Sequence, residues 1–119
     1  MVRRLLHPAR GWWLGLCALV LLRVAHAAGP EEIERGKALF TSVQPACAVC
    51  HTLQAAGSEG QVGPVLDEIK PDAARVLRAL RSGLGVMPSY AERLSERDMR
   101  ALAQFVSHAT GGASLAAEP

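Results

Sequence analysis

Two kinds of hydrophobic pattern divide this chain. From Gly11 to Leu22 the run GWWLGLCALVLL has no charged position in it, whereas beyond residue 30 apolar residues recur three and four apart among charged ones, the spacing of one face of a helix. The segment PEEIERGKALF opens on Pro30, puts glutamates in its first turn where the helix dipole favours them, and sets Ile33, Gly36, Lys37 and Phe40 near one face. It predicts a helix over 31–41. PDAARVLRALRSG has Pro71 at a first helical position, Val76, Leu77 and Leu80 on a common face, and a stop at Gly83, which makes a second helix. LSERDMRALAQFVSHATGG has Ser95 three residues before Asp98, then Met99, Leu102, Val106 and Ala109 at helical spacing, and predicts a third helix over 96–109. Between them, TLQAAGSEGQVGPVL carries three glycines and a proline without periodicity and reads as a loop, and GLGVMPSY, with Pro88 after Met87, reads as a tight one. Residues 112–119 are small and polar and read as a flexible tail. No repeat and no strand pattern is present, so the expected class is all-α.

The first apolar run changes the size and charge of the domain to be explained. It is 12 residues long, short of the ~20 that span a bilayer, follows Arg3, Arg4 and Arg10, and precedes VAHA with Ala25 and Ala27 at small-residue cleavage positions. Residues 1–27 therefore read as a secretory signal peptide, the alternative being an uncleaved anchor. Removing 27 of the 119 residues leaves 92, a single domain of 28–119 with a modest core. It also removes four of the 13 basic residues and none of the 11 acidic ones, turning a net charge of +2 into −2. The basic balance of the whole chain therefore says nothing about nucleic acid, which is not an expected partner, and the arginines that remain (Arg75, Arg78, Arg81; Arg93, Arg97, Arg100) lie at helical spacing among acidic residues, the pattern of a solvated face.

Cys17 leaves with the leader, and Cys47 and Cys50 remain, in PACAVCHTL. A disulfide between residues three apart closes too small a loop to stabilise much. A redox dithiol is expected beside a βαβ pattern, which is missing. A structural zinc site takes four ligands, and beyond Cys47, Cys50 and His51 only His108 is left among the nitrogen donors. The spacing CxxCH is the attachment signature of c-type haem: two thiols bond the porphyrin vinyl groups and the adjacent histidine reaches the iron. A covalently held haem also supplies the apolar centre that a chain with few aromatics lacks. For the other axial position the candidates are Met87, Met99, His108 or none. Met99 lies on the apolar stripe of the last helix and His108 at its end, whereas Met87 sits in a loop flanked by glycines and followed by Pro88.

Cys47, Cys50 and His51, then Gly63, Pro64 and Leu66, then Met87 and Pro88, followed by a last helix with Leu102 and Phe105, resemble the class I c-type cytochromes in order and spacing. The resemblance covers residues 31–110. It implies a small fold of about three to four helices around one covalent haem c, with Gly36 and Phe40 crossing the last helix near Leu102 and Phe105. It also implies His51 and Met87 as axial ligands of the iron, and a Pro64 carbonyl that accepts a hydrogen bond from His51. Many members hold a tryptophan near a haem propionate. Here Trp12 and Trp13 both fall in the leader, so the propionate contacts are unassigned, and Tyr90 can either bond a propionate or cap the core.

The wording of 47–112 is similar to the haem subunits of bacterial periplasmic sulfite dehydrogenases, whose large subunit carries molybdopterin. That likeness implies a periplasmic electron-transfer protein, not catalytic alone, that accepts electrons from a molybdenum sulfite-oxidising subunit in a heterodimer and delivers them to a downstream cytochrome or oxidase. A free carrier is the alternative, and an open-site haem sensor or peroxidase-like enzyme a more distant one. The expected docking surface is the neutral ground around the haem edge, at Val86 and Ser89.

Overall fold

The computed structural model describes residues 28–116, so the signal-peptide reading of 1–27 lies outside the described residues. Three long helices stand where the periodicity puts them: α1 (Pro30–Ser42), α4 (Ala73–Ser82) and α5 (Glu96–Thr110). Two further helices of one turn each, α2 (Cys47–Cys50) and α3 (Leu66–Ile69), escape a pattern analysis because four residues do not complete a period. The stretch expected to be a plain loop also contains a minimal antiparallel pair, β1 (Thr52–Leu53) and β2 (Ser58–Glu59), around a turn of 3₁₀ helix at Gln54–Ala56. These two-residue strands leave the class all-α.

The centre of the fold is α5, which packs against both α1 and α4. Its crossing with α1 is close because Gly36 has no side chain: a Cβ there would overlap the Ala101 carbonyl and stand 2.6 Å from Phe105 Cβ. One turn on, Phe40 meets Phe105 edge to face, ring centroids 5.9 Å apart at 71°, a geometry that adds about 0.5–1.5 kcal/mol to the area buried. Residues 101–107 of α5 are buried without exception, polar ones included. Those polar groups bond locally: Ser107 Oγ donates to the Gln104 carbonyl at 3.2 Å, and Thr110 Oγ1 to the Val106 carbonyl at 2.9 Å.

Capping differs in detail from the sequence expectation. The second helix starts two residues beyond Pro71, with Asp72 as its cap, the carboxylate accepting from Arg75 N at 2.6 Å; an aspartate side chain satisfies a free N–H where proline merely lacks one. At α5, Ser95 caps as expected, accepting from Asp98 N at 3.1 Å. Asp98 also receives Arg35 of α1 at 2.5 Å. Burial opposes ionisation of Asp98, but hydrogen bonds from Ser95 and Arg35 outweigh it and hold its carboxyl below the usual value. A depressed folded-state pKa gives stability that is present above the unfolded value, about 3.9, and is lost as pH falls through the folded one. Asp98→Asn is accordingly expected to lower Tm at neutral pH and to flatten the acid limb of a Tm-against-pH curve.

The tail does not leave the domain at residue 112. Ala113 O accepts from Ala73 N at 2.8 Å, Leu115 N donates to the buried Gln104 Oε1 at 3.2 Å, and Leu115 packs on the core. A side chain at Gly112 would overlap the Pro71 carbonyl. Small residues here permit a close approach between the chain end and the start of α4.

Candidate functional site

α2 carries the cysteine pair and ends on His51, whose N–H donates to the Cys47 carbonyl at 2.9 Å. Its approach is fixed from across the fold: the buried Tyr90 donates its phenol to the Pro45 carbonyl at 2.8 Å. Of the two roles open to Tyr90, this is the one that caps the core. Burial pushes the Cys47 thiol up to about 11, so that it is held neutral, while Cys50 is only half-buried.

Residues 52–64 wrap the motif and aim its histidine. Ser58, buried beneath the turn, donates to the His51 carbonyl at 2.9 Å and accepts from Leu53 N at 3.0 Å. Gly60 lies against the end of α2, where a Cβ would stand 2.6 Å from both Cys50 C and His51 N. Gly63 N donates to the Cys50 carbonyl at 2.7 Å, and a Cβ on Gly63 would stand 2.5 Å from His51 Cε1. His51 Nδ1 donates to the Pro64 carbonyl at 2.9 Å, which leaves Nε2 as the nitrogen with a free lone pair. The expectation for Gly63 and Pro64 thus has a geometry: one makes room for the imidazole and the other fixes its tautomer. Ser58 and Gly60 were not legible in the sequence, because a glycine-rich loop announces close approach without saying to what.

Met87 is presented from the other side by a two-residue turn. Leu84 and Met87 exchange both backbone hydrogen bonds at 3.0 Å, with Gly85 between them at φ +58°. The turn is tied to α4 by Tyr90 N donating to the Leu80 carbonyl at 2.7 Å and by Ser89 Oγ donating to the Arg81 carbonyl at 2.6 Å.

These segments enclose a cleft of about 530 Å³ whose lining includes Cys47, Cys50, His51, Gly63, Pro64 and Met87, in the range of sites that take an organic cofactor. Met99 is instead buried in the core and His108 exposed at the end of α5, and neither lines the cleft. The donor set fits a haem: two unpaired thiols three residues apart, an imidazole with Nδ1 occupied and Nε2 free, and apolar walls from Leu66, Leu80, Leu102 and Val106. Zinc is disfavoured, since His108 does not line the cleft with the motif and no cluster of three or more His, Cys, Asp or Glu that could hold a metal ion occurs among the described residues. Gly63→Ala is expected to push the imidazole off its Pro64 contact and to lower the yield of folded, haem-loaded protein several-fold, as read by haem absorbance per unit of polypeptide. A normal yield would show that the ring tolerates the displacement.

Residues 31–106 match the family model described as cytochrome c oxidase, cbb3-type, subunit III. Among solved structures, the chain is similar to the c-type cytochrome SorU from Sinorhizobium meliloti, with 41% identity, a TM-score of 0.67, and coverage of 73% of this chain and 100% of that one. With an imidazole already oriented beside two thiols in an apolar cleft, the match is to chemistry as well as to fold, and the chain belongs to the c-type cytochromes, as a class I member with one covalently bound haem c.

Proposed function

We propose that residues 1–27 direct export to the periplasm and are removed, and that the domain is a six-coordinate electron carrier with Cys47 and Cys50 as the thioether residues and His51 and Met87 as axial ligands. The observation that carries the axial assignment is the placement of the candidates: of Met87, Met99 and His108, Met87 alone lines the cleft that His51 lines. The haem supplies a one-electron couple, and methionine ligation raises its potential. The protein's part is to hold the Nε2 lone pair in place through Pro64, to hold the thioether through the Leu84–Met87 turn, and to keep water out with apolar walls. Acid–base chemistry at an open iron position has little support, because the Tyr90 hydroxyl is bonded to Pro45.

The donor is a molybdenum sulfite-oxidising subunit, and the acceptor a further cytochrome or oxidase. This part rests on the resemblance of residues 47–112 to the haem subunits of periplasmic sulfite dehydrogenases and on the identity to SorU. Docking uses neutral surface: Val62, Leu84 and Val86 line the cleft yet are 67%, 69% and 87% exposed. Ser89, with its hydroxyl bonded to Arg81 O and Ala91 N, belongs to the loop's scaffold, so Val86 and Leu84 are the positions to alter.

Stopped-flow reduction by the molybdenum subunit and sulfite is expected to slow by roughly tenfold or more in Val86→Glu. It should change only slightly between low and moderate salt, because apolar contacts are not screened as exposed charges are. A steep salt dependence with indifference to Val86→Glu would place docking elsewhere. Absence of any sulfite-dependent reduction would leave the electron carrier and remove the sulfite donor.

A further inference from the structure

Among the described residues the cleft lining has two permanently charged side chains, Arg75 and Arg78, both exposed on α4, and no aspartate or glutamate. Local structure gives no reason for either. Arg75 is the third residue of the helix, where a cation opposes the dipole, and Arg75, Arg78 and Arg81 follow one another at i, i+3 spacing, where like charges repel. Arg81 is relieved by its ion pair with Glu96. Neither the Arg75 nor the Arg78 guanidinium has an ion-pair or hydrogen-bond partner among the described residues. Two unpaired cations on one wall of an otherwise apolar cleft match a dianionic edge, and the haem has one in its two propionates. A guanidinium fork is well suited to a carboxylate.

The geometry points to Arg75 and Arg78 as the residues that hold the haem propionates, in place of the tryptophan that the domain lacks. The inference rests on the haem reading of the cleft. It orients the group: propionates toward the first half of α4, and the apolar edge toward Leu84 and Val86 just beyond the end of that helix. Tyr90 does not compete, since its hydroxyl is bonded to Pro45, and neither Asp67, bonded to Gln54 N, nor Lys70 lines the cleft. The two arginines are positioning residues, and their charge also favours the reduced haem.

The test compares holoprotein of the wild type with Arg75→Gln/Arg78→Gln, Arg75→Lys/Arg78→Lys and Arg97→Gln. Arg97, on α5, is an exposed arginine that does not line the cleft. The double glutamine variant should shift the propionate bending band in the resonance Raman spectrum. It should also lower the one-electron reduction constant about tenfold, or about 59 mV, while the lysine pair restores most of the potential and Arg97→Gln leaves both readings in place. An unchanged propionate band, or an equal shift of potential in Arg97→Gln, would overturn the assignment. The axial ligation is read separately from the visible spectrum of the same samples, so a fault in the His51/Met87 reading would show in the wild type and not be confused with this one.

Discussion

Met87→Ala is expected to convert a low-spin haem into a high-spin one that binds added ligands, and to lower the midpoint potential by on the order of 0.1 V, a fraction of the roughly 0.8 V that axial ligation spans. The size of the effect follows from how little could replace the thioether. Cys47 and Cys50 would be used in attachment, the Tyr90 hydroxyl is bonded to Pro45, and of the other polar side chains in the lining Arg75 and Arg78 have no lone pair to offer iron and Ser82 offers only a neutral hydroxyl. The turn itself should survive, since its reciprocal hydrogen bonds are between backbone atoms. Met99→Leu is the contrasting variant. Met99 is buried against the α1–α4–α5 core, and a volume-conserving swap there costs under about 1.5 kcal/mol. Its visible spectrum should match the wild type. The reverse pattern, with Met99→Leu high-spin and Met87→Ala unaffected, would move the ligand to α5.

Loss of both thioethers is the second large effect. Cys47→Ala/Cys50→Ala is expected to yield no covalent haem and a chain that does not accumulate in folded form. A domain of this size is stable by about 5–15 kcal/mol, and truncating one large core side chain already costs about 2–5 kcal/mol. Leaving a cleft of about 530 Å³ without its occupant withdraws contacts from Leu66, Leu80, Leu102 and Val106 together. The single variants should keep one thioether, with Cys47→Ala the more damaging because Cys47 is buried and Cys50 only half so. Haem staining after denaturing electrophoresis and thermal melts read both effects. Full covalent haem in the double variant would contradict the attachment assignment.

What the sequence disclosed followed from periodicity and from motifs with fixed local spacing. Helix α5 was legible because Ser95 and Gly111 punctuate a stripe long enough to show its period, and the CxxCH motif because its three residues are adjacent. The α1–α5 crossing came from Gly36 and Phe40 through the family resemblance, and the overlap of a Gly36 side chain with the Ala101 carbonyl supplies its reason. Features set by contacts between distant segments were hidden. Pro71 was read as a helix start, but Asp72 caps α4. Ala113 and Leu115 look like a free tail in the sequence, but a backbone hydrogen bond from Ala73 and the buried Gln104 side chain, which accepts from Leu115 N, hold them. Arg75 and Arg78 read as part of a solvated face and are indeed exposed, but nothing in the sequence showed that they also line the cleft.

His51 and Met87 are proposed to make a closed, six-coordinate site for electron transfer. The optical spectrum of the oxidised, purified protein tests it most directly. A His51/Met87 pair should give a low-spin spectrum with the weak far-red band of methionine-ligated ferric haem, and a high-spin spectrum without that band would contradict it.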